Sequence, residues 1–190
     1  MKRRILCLIT ATLVACGEQG EPDEPVSESA AETTEMKSGP SMETARSDIR
    51  DAQGRSLGVV ELEETDFGVT LSGTLTGLSP GEHGFHIHET GLCDPPAFES
   101  AGAHYAPLGR RHGFHDPQGP HAGDLRNLLV SEAGSTLVDA ADSLVTLREG
   151  ANTLLDADGS ALIVHAEPDD YRSQPSGNSG DRIACGVIAR

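Results

Sequence analysis

Apolar and polar side chains alternate along short segments of the chain from about residue 44 onwards. The clearest segment is 67–76, in which Phe67, Val69, Leu71 and Leu75 are separated by glycine, serine and threonine. A period of two is typical of an antiparallel strand with one buried face. The same pattern predicts further strands at 44–50, 55–63, 83–89, 124–131, 135–140, 143–148, 160–166 and 183–189.

Turn sequences such as Ser79-Pro80-Gly81 separate several of these segments, and the sequence shows no long amphipathic helical pattern. Many short strands joined by turns predict a β-sandwich or β-barrel. The sequence has no Trp and only 3% aromatic residues, so the core is expected to consist mainly of Val, Leu and Ile. We therefore predict one all-β domain over residues 44–190.

The first residues have the pattern of an export signal. Lys2, Arg3 and Arg4 precede a short apolar run that ends at Cys16. A basic start and a short apolar run are typical of a signal peptide, and this run is too short to cross a bilayer. The sequence Leu-Val-Ala-Cys resembles the lipobox of bacterial lipoproteins. We predict a signal peptide at 1–15 and a lipid on Cys16, with a plain secretory signal as the alternative.

Residues 16–43 are rich in Glu, Pro and Ser and poor in bulky apolar side chains. Such a segment cannot bury enough surface to offset its chain entropy, so we predict a disordered acidic tether behind the lipidated cysteine. The formal net charge of −16 argues against binding to nucleic acid or, by charge, to anionic lipid. Gly17, rather than Asp, follows Cys16, which resembles lipoproteins released to an outer membrane. We therefore predict an exported protein anchored at the outer membrane or periplasmic face through the lipid on Cys16 alone.

Seven of the eight histidines lie between His83 and His121. On the predicted strand at 83–89, Phe85 and Ile87 would face the core, while His86 and His88 would share the opposite, wetter face. Two imidazoles placed in this way can bind one metal ion. His83 and the later His115 are interpreted as ordinary polar residues.

A second group of metal-ligand types follows in a loop rich in Gly and Pro. It consists of His104, His112, His121 and Asp124. Three imidazoles and one carboxylate suit a closed, four-coordinate zinc site.

Four segments of the chain, in order, resemble those of copper–zinc superoxide dismutases, specifically the exported bacterial branch. These segments are GFHIHE from Gly84, AGAHY from Ala101, HAGD from His121 and GDRIACGVIA from Gly180. The resemblance covers residues 44–190. It implies an eight-stranded Greek-key β-barrel or Ig-like sandwich with long metal-binding and electrostatic loops. It also implies copper and zinc as cofactors, and dismutation of superoxide to oxygen and hydrogen peroxide as a defence outside the cytoplasm.

The histidine of the predicted strand 160–166, His165, brings the number of candidate ligands to seven, for two four-coordinate sites. Either one residue bridges two metals or one site stays open. The resemblance implies that His104 is a shared imidazolate and that Asp169 links one ligand of each metal. It assigns copper to His86, His88, His104 and His165, and zinc to His104, His112, His121 and Asp124.

The resemblance also implies two catalytic roles. Arg182 would hold the superoxide anion, and His104 would carry a proton. The loop at 166–181 has Arg172 as its one basic residue against four acidic ones, so we expect a competent enzyme that attracts its anionic substrate weakly.

Cys93 and Cys185 are the two cysteines of the predicted domain. An exported protein with one such pair is expected to oxidise it, and the resemblance implies the same disulfide. A role for either thiolate as a metal ligand is the competing interpretation.

Two other functions stay open at this point. The chain could sequester or deliver copper, although such proteins more often use Met and Cys for Cu(I). It could also be a metal-free relative, which would be expected to lack ligands. Relatives occur as monomers and as dimers, so a homodimer is also left open.

Overall fold

The computed structural model describes residues 42–190. The predicted signal peptide, Cys16 and the tether up to residue 41 lie outside this range. Within residues 42–190, no helix is long and apolar enough to cross a membrane.

Nine strands and one short 3-10 helix, Glu99–Ala101, make up the regular structure of the described residues. The strands are β1 Thr44–Asp51, β2 Ser56–Thr65, β3 Gly68–Thr76, β4 Gly81–His83, β5 Phe85–His88, β6 Leu128–Val130, β7 Ser135–Asp142, β8 Ala161–His165 and β9 Arg182–Ala189. The all-β prediction is confirmed. The predicted strand at 83–89 is divided at Gly84 into β4 and β5, and counting these as one gives the expected eight strands.

Seven strands form one antiparallel sheet in the order β5-β8-β9-β1-β2-β3-β7, while β4 pairs with β6. β3 and β7 are neighbours although three strands lie between them in the sequence. Of these three, β5 joins the opposite edge of the same sheet, and β4 and β6 form the separate pair. The curled sheet encloses a core that is aliphatic, as the composition predicted, and Phe85 is the aromatic residue among its largest fully buried side chains. Its aliphatic members include Ile49, Leu62, Leu71, Leu75, Ile87, Leu147, Leu154 and Leu162.

The prediction of a strand at 143–148 is wrong. Val145 and Leu147 are buried, so the apolar alternation is real. The backbone there bonds to side chains and to a local turn instead of to a neighbouring strand. Leu147 N–H donates to the Glu64 carboxylate at 2.6 Å, and Leu144 C=O accepts from the Asn152 amide at 2.7 Å. Alternation shows which side chains are buried, but it does not show which partners the backbone finds.

Asp142 ends β7 as a buried carboxyl group that is half satisfied. Its Oδ1 accepts a 2.8 Å hydrogen bond from Leu144 N–H, whereas Oδ2 has no partner within residues 42–190. Burial raises the pKa of Asp142 from 3.8 to about 6. The hydrogen bond from Leu144 lowers the pKa and the charge of Asp124 raises it, but both effects are smaller than that of burial. Between these two pH values the folded state binds more protons than the unfolded state, so stability falls as pH rises through this window.

We expect Asp142→Asn to stabilise the protein at pH 7.5, because it removes the unpaired charge. The pKa shift corresponds to about 3 kcal/mol, and the amide's own unpaired N–H groups offset part of this gain. Denaturant unfolding of the metal-free protein at pH 7.5 and pH 4 would measure the effect, with exposed Asp139→Asn as the control. The gain should vanish near pH 4, where the native carboxyl is already protonated. A variant no more stable than the unaltered protein at pH 7.5 would contradict this account.

Candidate metal centre

Seven side chains from two strands and one long loop converge on one side of the sheet. His86 and His88 lie on β5, and His165 ends the neighbouring β8. Isolated bridges pair His86 with Asp124 and His88 with His104, and so fasten the loop between β5 and β6 over β5. The side chains form two groups, and within each group the potential ligand atoms lie within 4.8 Å of one another. The groups are His86, His88, His104 and His165, and His104, His112, His121 and Asp124.

The expectation that His86 and His88 face a wetter side is wrong. His86 is 0% exposed and His88 is 1% exposed. The loops that carry the other histidines cover this face of β5. The sequence pattern of a strand shows its two faces but not what lies above them.

In the first group, each ring is oriented by a hydrogen bond at one nitrogen. His88 Nδ1 donates to Gly102 C=O at 3.0 Å, and His165 Nδ1 donates to Gly180 C=O at 3.2 Å. His86 Nε2 donates to the Asp169 carboxylate at 3.0 Å. Since these oxygen atoms can only accept, the proton of each neutral ring lies on the bonded nitrogen and the other nitrogen carries a lone pair.

The opposite nitrogens of this group are buried and have no hydrogen-bond partner within residues 42–190. They are His86 Nδ1, His88 Nε2, His104 Nε2 and His165 Nε2. Burial lowers the pKa of His165 to about 3 and that of His104 to about 4, so both rings are neutral at physiological pH. Four converging lone pairs, each in a ring fixed by an outer partner, fit a copper ion bound by imidazole.

The second group gathers around one carboxylate oxygen. His104 Nδ1 and His112 Nδ1 lie 2.9 and 3.0 Å from Asp124 Oδ1. His121 Nδ1 lies 3.3 Å from the same atom without making a hydrogen bond. The other oxygen, Oδ2, accepts from the N–H groups of Gly113 and His121, which turns Oδ1 toward the histidines. Three imidazole nitrogens gathered around one carboxylate oxygen are a donor set that would suit zinc.

His112 lies between two carboxylates, because its Nε2 is 3.0 Å from Asp169 Oδ1. Burial opposes protonation of this ring, but the hydrogen bonds and charges of Asp124 and Asp169 prevail and raise its pKa to about 9. The metal-free protein therefore holds a proton on His112 that zinc would have to displace.

Asp169 touches one member of each group, His86 through Oδ2 and His112 through Oδ1. It is 3% exposed. Gly177 packs against this contact so closely that an added Cβ would lie 2.7 Å from His112 Nε2. His86, Asp169 and His112 therefore form a buried hydrogen-bonded connection between the two groups.

Arg182, the first residue of β9, is partly buried and shares a hydrogen-bond acceptor with His88. Its guanidinium donates to Phe98 C=O and to Gly102 C=O, both at 2.7 Å. Gly102 C=O is also the acceptor that orients His88. The arginine lines a cavity of about 650 Å³ together with Glu99 and Asp181, so acidic side chains lie beside the positive charge.

The predicted disulfide is confirmed, with Cys93 and Cys185 joined and their Cα atoms 5.7 Å apart. It fastens the loop that carries Phe98 and Gly102 to β9. The carbonyl groups that hold Arg182 are therefore anchored to the same strand as Arg182 itself.

Three contributors to the site have no signal in the sequence. They are the Gly102 carbonyl, the packing of Gly177, and Asn127, which contacts the main chain of Asp169. Asn127 follows Asp124 by three residues, but neither spacing nor residue type indicates its partner. The two histidines interpreted as ordinary polar residues fall outside both groups: His83 is buried and bonded to Ser79 and to His165 C=O, and His115 is exposed.

Comparison with known proteins gives a consistent result. Residues 56–188 match the family model for copper/zinc superoxide dismutase. The chain is 45% identical over 146 residues to superoxide dismutase [Cu-Zn] 2 of Aquifex aeolicus, covering 76% of this chain and 85% of that protein. It is 40% identical over 190 residues to the superoxide dismutase-like protein YojM of Bacillus subtilis, covering 97% and 94% of the two chains.

Solved structures agree with the sequence comparisons. A double mutant of a SOD-like protein from Bacillus subtilis superposes with a TM-score of 0.74 at 42% identity, over 76% of this chain and 97% of that one. The Cu/Zn superoxide dismutase from Brucella abortus gives a TM-score of 0.65 at 28% identity, over 77% and 99% of the two chains. This chain therefore belongs to the copper/zinc superoxide dismutase family of enzymes, whose cofactors are copper and zinc.

Proposed function

We propose that this protein dismutates superoxide to oxygen and hydrogen peroxide at a copper ion held by His86, His88, His104 and His165. Zinc would be held by His104, His112, His121 and Asp124, so that His104 is shared by the two metals. The observation that carries this proposal is the set of four ring nitrogens that are buried and have no hydrogen-bond partner within residues 42–190. Arg182 and one of these rings, His88, share the Gly102 carbonyl as a hydrogen-bond acceptor.

Copper, when bound, supplies the one-electron exchange with superoxide, while zinc has no redox chemistry and orders the loop. In the balanced reaction, two superoxide anions and two protons give one molecule of oxygen and one of hydrogen peroxide. The protein's own residues must therefore attract an anion, orient it and supply a proton.

Arg182 is suited to orienting the anion. Its hydrogen bonds to Phe98 C=O and Gly102 C=O fix the plane of the guanidinium, and its remaining N–H groups make no hydrogen bond within residues 42–190. A cation fixed beside the histidines stabilises an incoming anion without having to reorganise.

His104 is suited to moving the proton. Its Nδ1 lies 2.9 Å from Asp124 Oδ1, while its Nε2 belongs to the first group and has no hydrogen-bond partner within residues 42–190. A ring held at one nitrogen can take a proton at the other and pass it to peroxide.

The proposed location is outside the cytoplasm, on a membrane, through a lipid on Cys16. The support is the pattern of residues 1–16 and a disulfide, which is typical of exported proteins. Labelling with a radioactive fatty acid tests this, because the label should appear in the unaltered protein and be lost in Cys16→Ser. Equal labelling of both proteins would contradict the proposed attachment.

The activity is tested by removing both metals from the purified protein and restoring copper, zinc or both. We expect dismutation to require copper and to follow copper occupancy, because the partnerless nitrogens supply its ligands. Full occupancy of both sites without dismutation would overturn the proposal and favour the alternative of a copper-handling protein.

A further inference from the structure

Asn127 is joined to the main chain of Asp169 by two hydrogen bonds. Its Nδ2 donates to Asp169 C=O and its Oδ1 accepts from Asp169 N–H, both at 3.0 Å. The side-chain amide therefore satisfies both backbone groups of one residue, as a neighbouring strand would. The backbone N–H of Asn127 also donates to the Tyr171 hydroxyl at 2.8 Å.

This pairing joins two separate parts of the chain. Asn127 lies three residues after Asp124, at the end of the segment that carries the second histidine group. Asp169 lies in the loop after β8, which also contains Gly177. The backbone N–H of Tyr171 donates to Asp169 Oδ1 at 2.7 Å, so this loop also restrains the carboxylate from its own side.

The geometry points to Asn127 as a positioning residue that acts through Asp169 to couple the two metal sites. With the main chain of Asp169 fixed at both its N–H and its C=O, the carboxylate is held where it reaches His86 and His112 together. Zinc binding at His112 would then alter the hydrogen bond between Asp169 and His86, and so the orientation of the copper ligand. The inference rests on the proposed ligand assignment.

The first measurement is zinc affinity, with Zn²⁺ alone added to the metal-free protein in competition with a chromophoric chelator. Zinc binding by the unaltered protein tests the ligand assignment separately from the inference. Asn127→Ala is expected to weaken zinc binding by about tenfold, in the range found for outer partners of metal ligands. Asn152→Ala is the matched control, because Asn152 also fixes a loop, through Leu144 C=O at 2.7 Å, but touches neither group.

The second measurement reports coupling and does not depend on activity. Electron paramagnetic resonance of bound Cu²⁺ is recorded before and after zinc is added. The spectral change caused by zinc should be smaller in Asn127→Ala than in the unaltered protein, and unchanged in Asn152→Ala. Asn127→Asp keeps an acceptor for Asp169 N–H and loses the donor to Asp169 C=O, so it should give an intermediate change. If Asn127→Ala does not fold, the spectrum of Asn127→Asp alone tests whether Asn127 couples the two sites.

A double variant separates positioning through Asp169 from a general loss of order. In an Asp169→Ala background, Asn127→Ala should weaken zinc binding no further, because the group it positions is absent. Additive losses in the double variant, or an unchanged zinc affinity and Cu²⁺ spectrum in Asn127→Ala, would overturn the inference.

Discussion

Replacing His104 with alanine is expected to weaken copper and zinc binding together and to abolish dismutation. His104 belongs to both groups of ligand atoms, with Nε2 directed to one and Nδ1 to the other. Changes to outer partners typically cost 10–100-fold in metal affinity, so loss of a shared ligand should cost each metal about 100-fold or more. Metal content after dialysis and the Cu²⁺ spectrum would measure both losses.

The neighbouring histidines provide matched controls, because each belongs to one group. His165→Ala should mainly weaken copper binding, and His112→Ala should mainly weaken zinc binding. His115→Ala, an exposed histidine outside both groups, should retain both metals. A His104→Ala protein that kept its zinc and an unaltered copper geometry would show that the ring is not shared.

Replacing Arg182 with alanine is expected to lower kcat/KM for superoxide by about tenfold or more while both metals stay bound. A cleft lined by one sign of charge raises the encounter rate with an oppositely charged substrate by about 10–10³-fold, and the acidic neighbours of Arg182 place the expected loss at the lower end of that range. Arg182 supplies that charge beside the histidines, and Glu99 and Asp181 line the same cavity. Pulse radiolysis at several salt concentrations would measure the rate and its electrostatic part.

Arg182→Lys is the control for charge, because it keeps the cation but cannot reproduce the hydrogen bonds to two carbonyl groups. We expect its rate to fall between those of the unaltered protein and Arg182→Ala. Because acidic residues oppose the attraction, the rate of the unaltered protein should decrease only slightly as salt is raised. A steep decrease would contradict the weak attraction, and an unchanged rate in Arg182→Ala would remove the role of the arginine.

Residue types and spacing were enough to predict an all-β domain, the pair His86 and His88, and a second group made of His104, His112, His121 and Asp124. The assignment of His104 and His165 to copper came from the resemblance to the family. Alternation located most strands, because a half-buried strand must place apolar residues at every second position. Imidazole and carboxylate side chains concentrated in one stretch indicated metal binding, since few other functions need them together. The pair Cys93 and Cys185 was predictable because no other cysteine falls within residues 42–190.

The parts that could not be predicted depend on contacts between distant segments. The segment 143–148 alternates like a strand, but Glu64 and Asn152 take its backbone groups. The burial of His88 depends on a loop closing over β5, and the strand pattern contains no information about that loop. Asn127 contacts Asp169 across a sequence separation of 42 residues, and Gly177 packs against Asp169 from farther along the same loop.

The pairing of the first and last strands has a practical consequence for attaching this enzyme to another molecule. In that pairing Arg46 lies opposite Ala189, whereas Arg182 begins β9 at its other end. At about 3.3 Å per residue, the seven steps from Arg182 to Ala189 span roughly 23 Å. Anything joined ahead of Thr44, such as a fused protein or a solid support, is therefore attached far from Arg182 and the cavity that it lines. Immobilisation through that end should leave the approach of superoxide unobstructed.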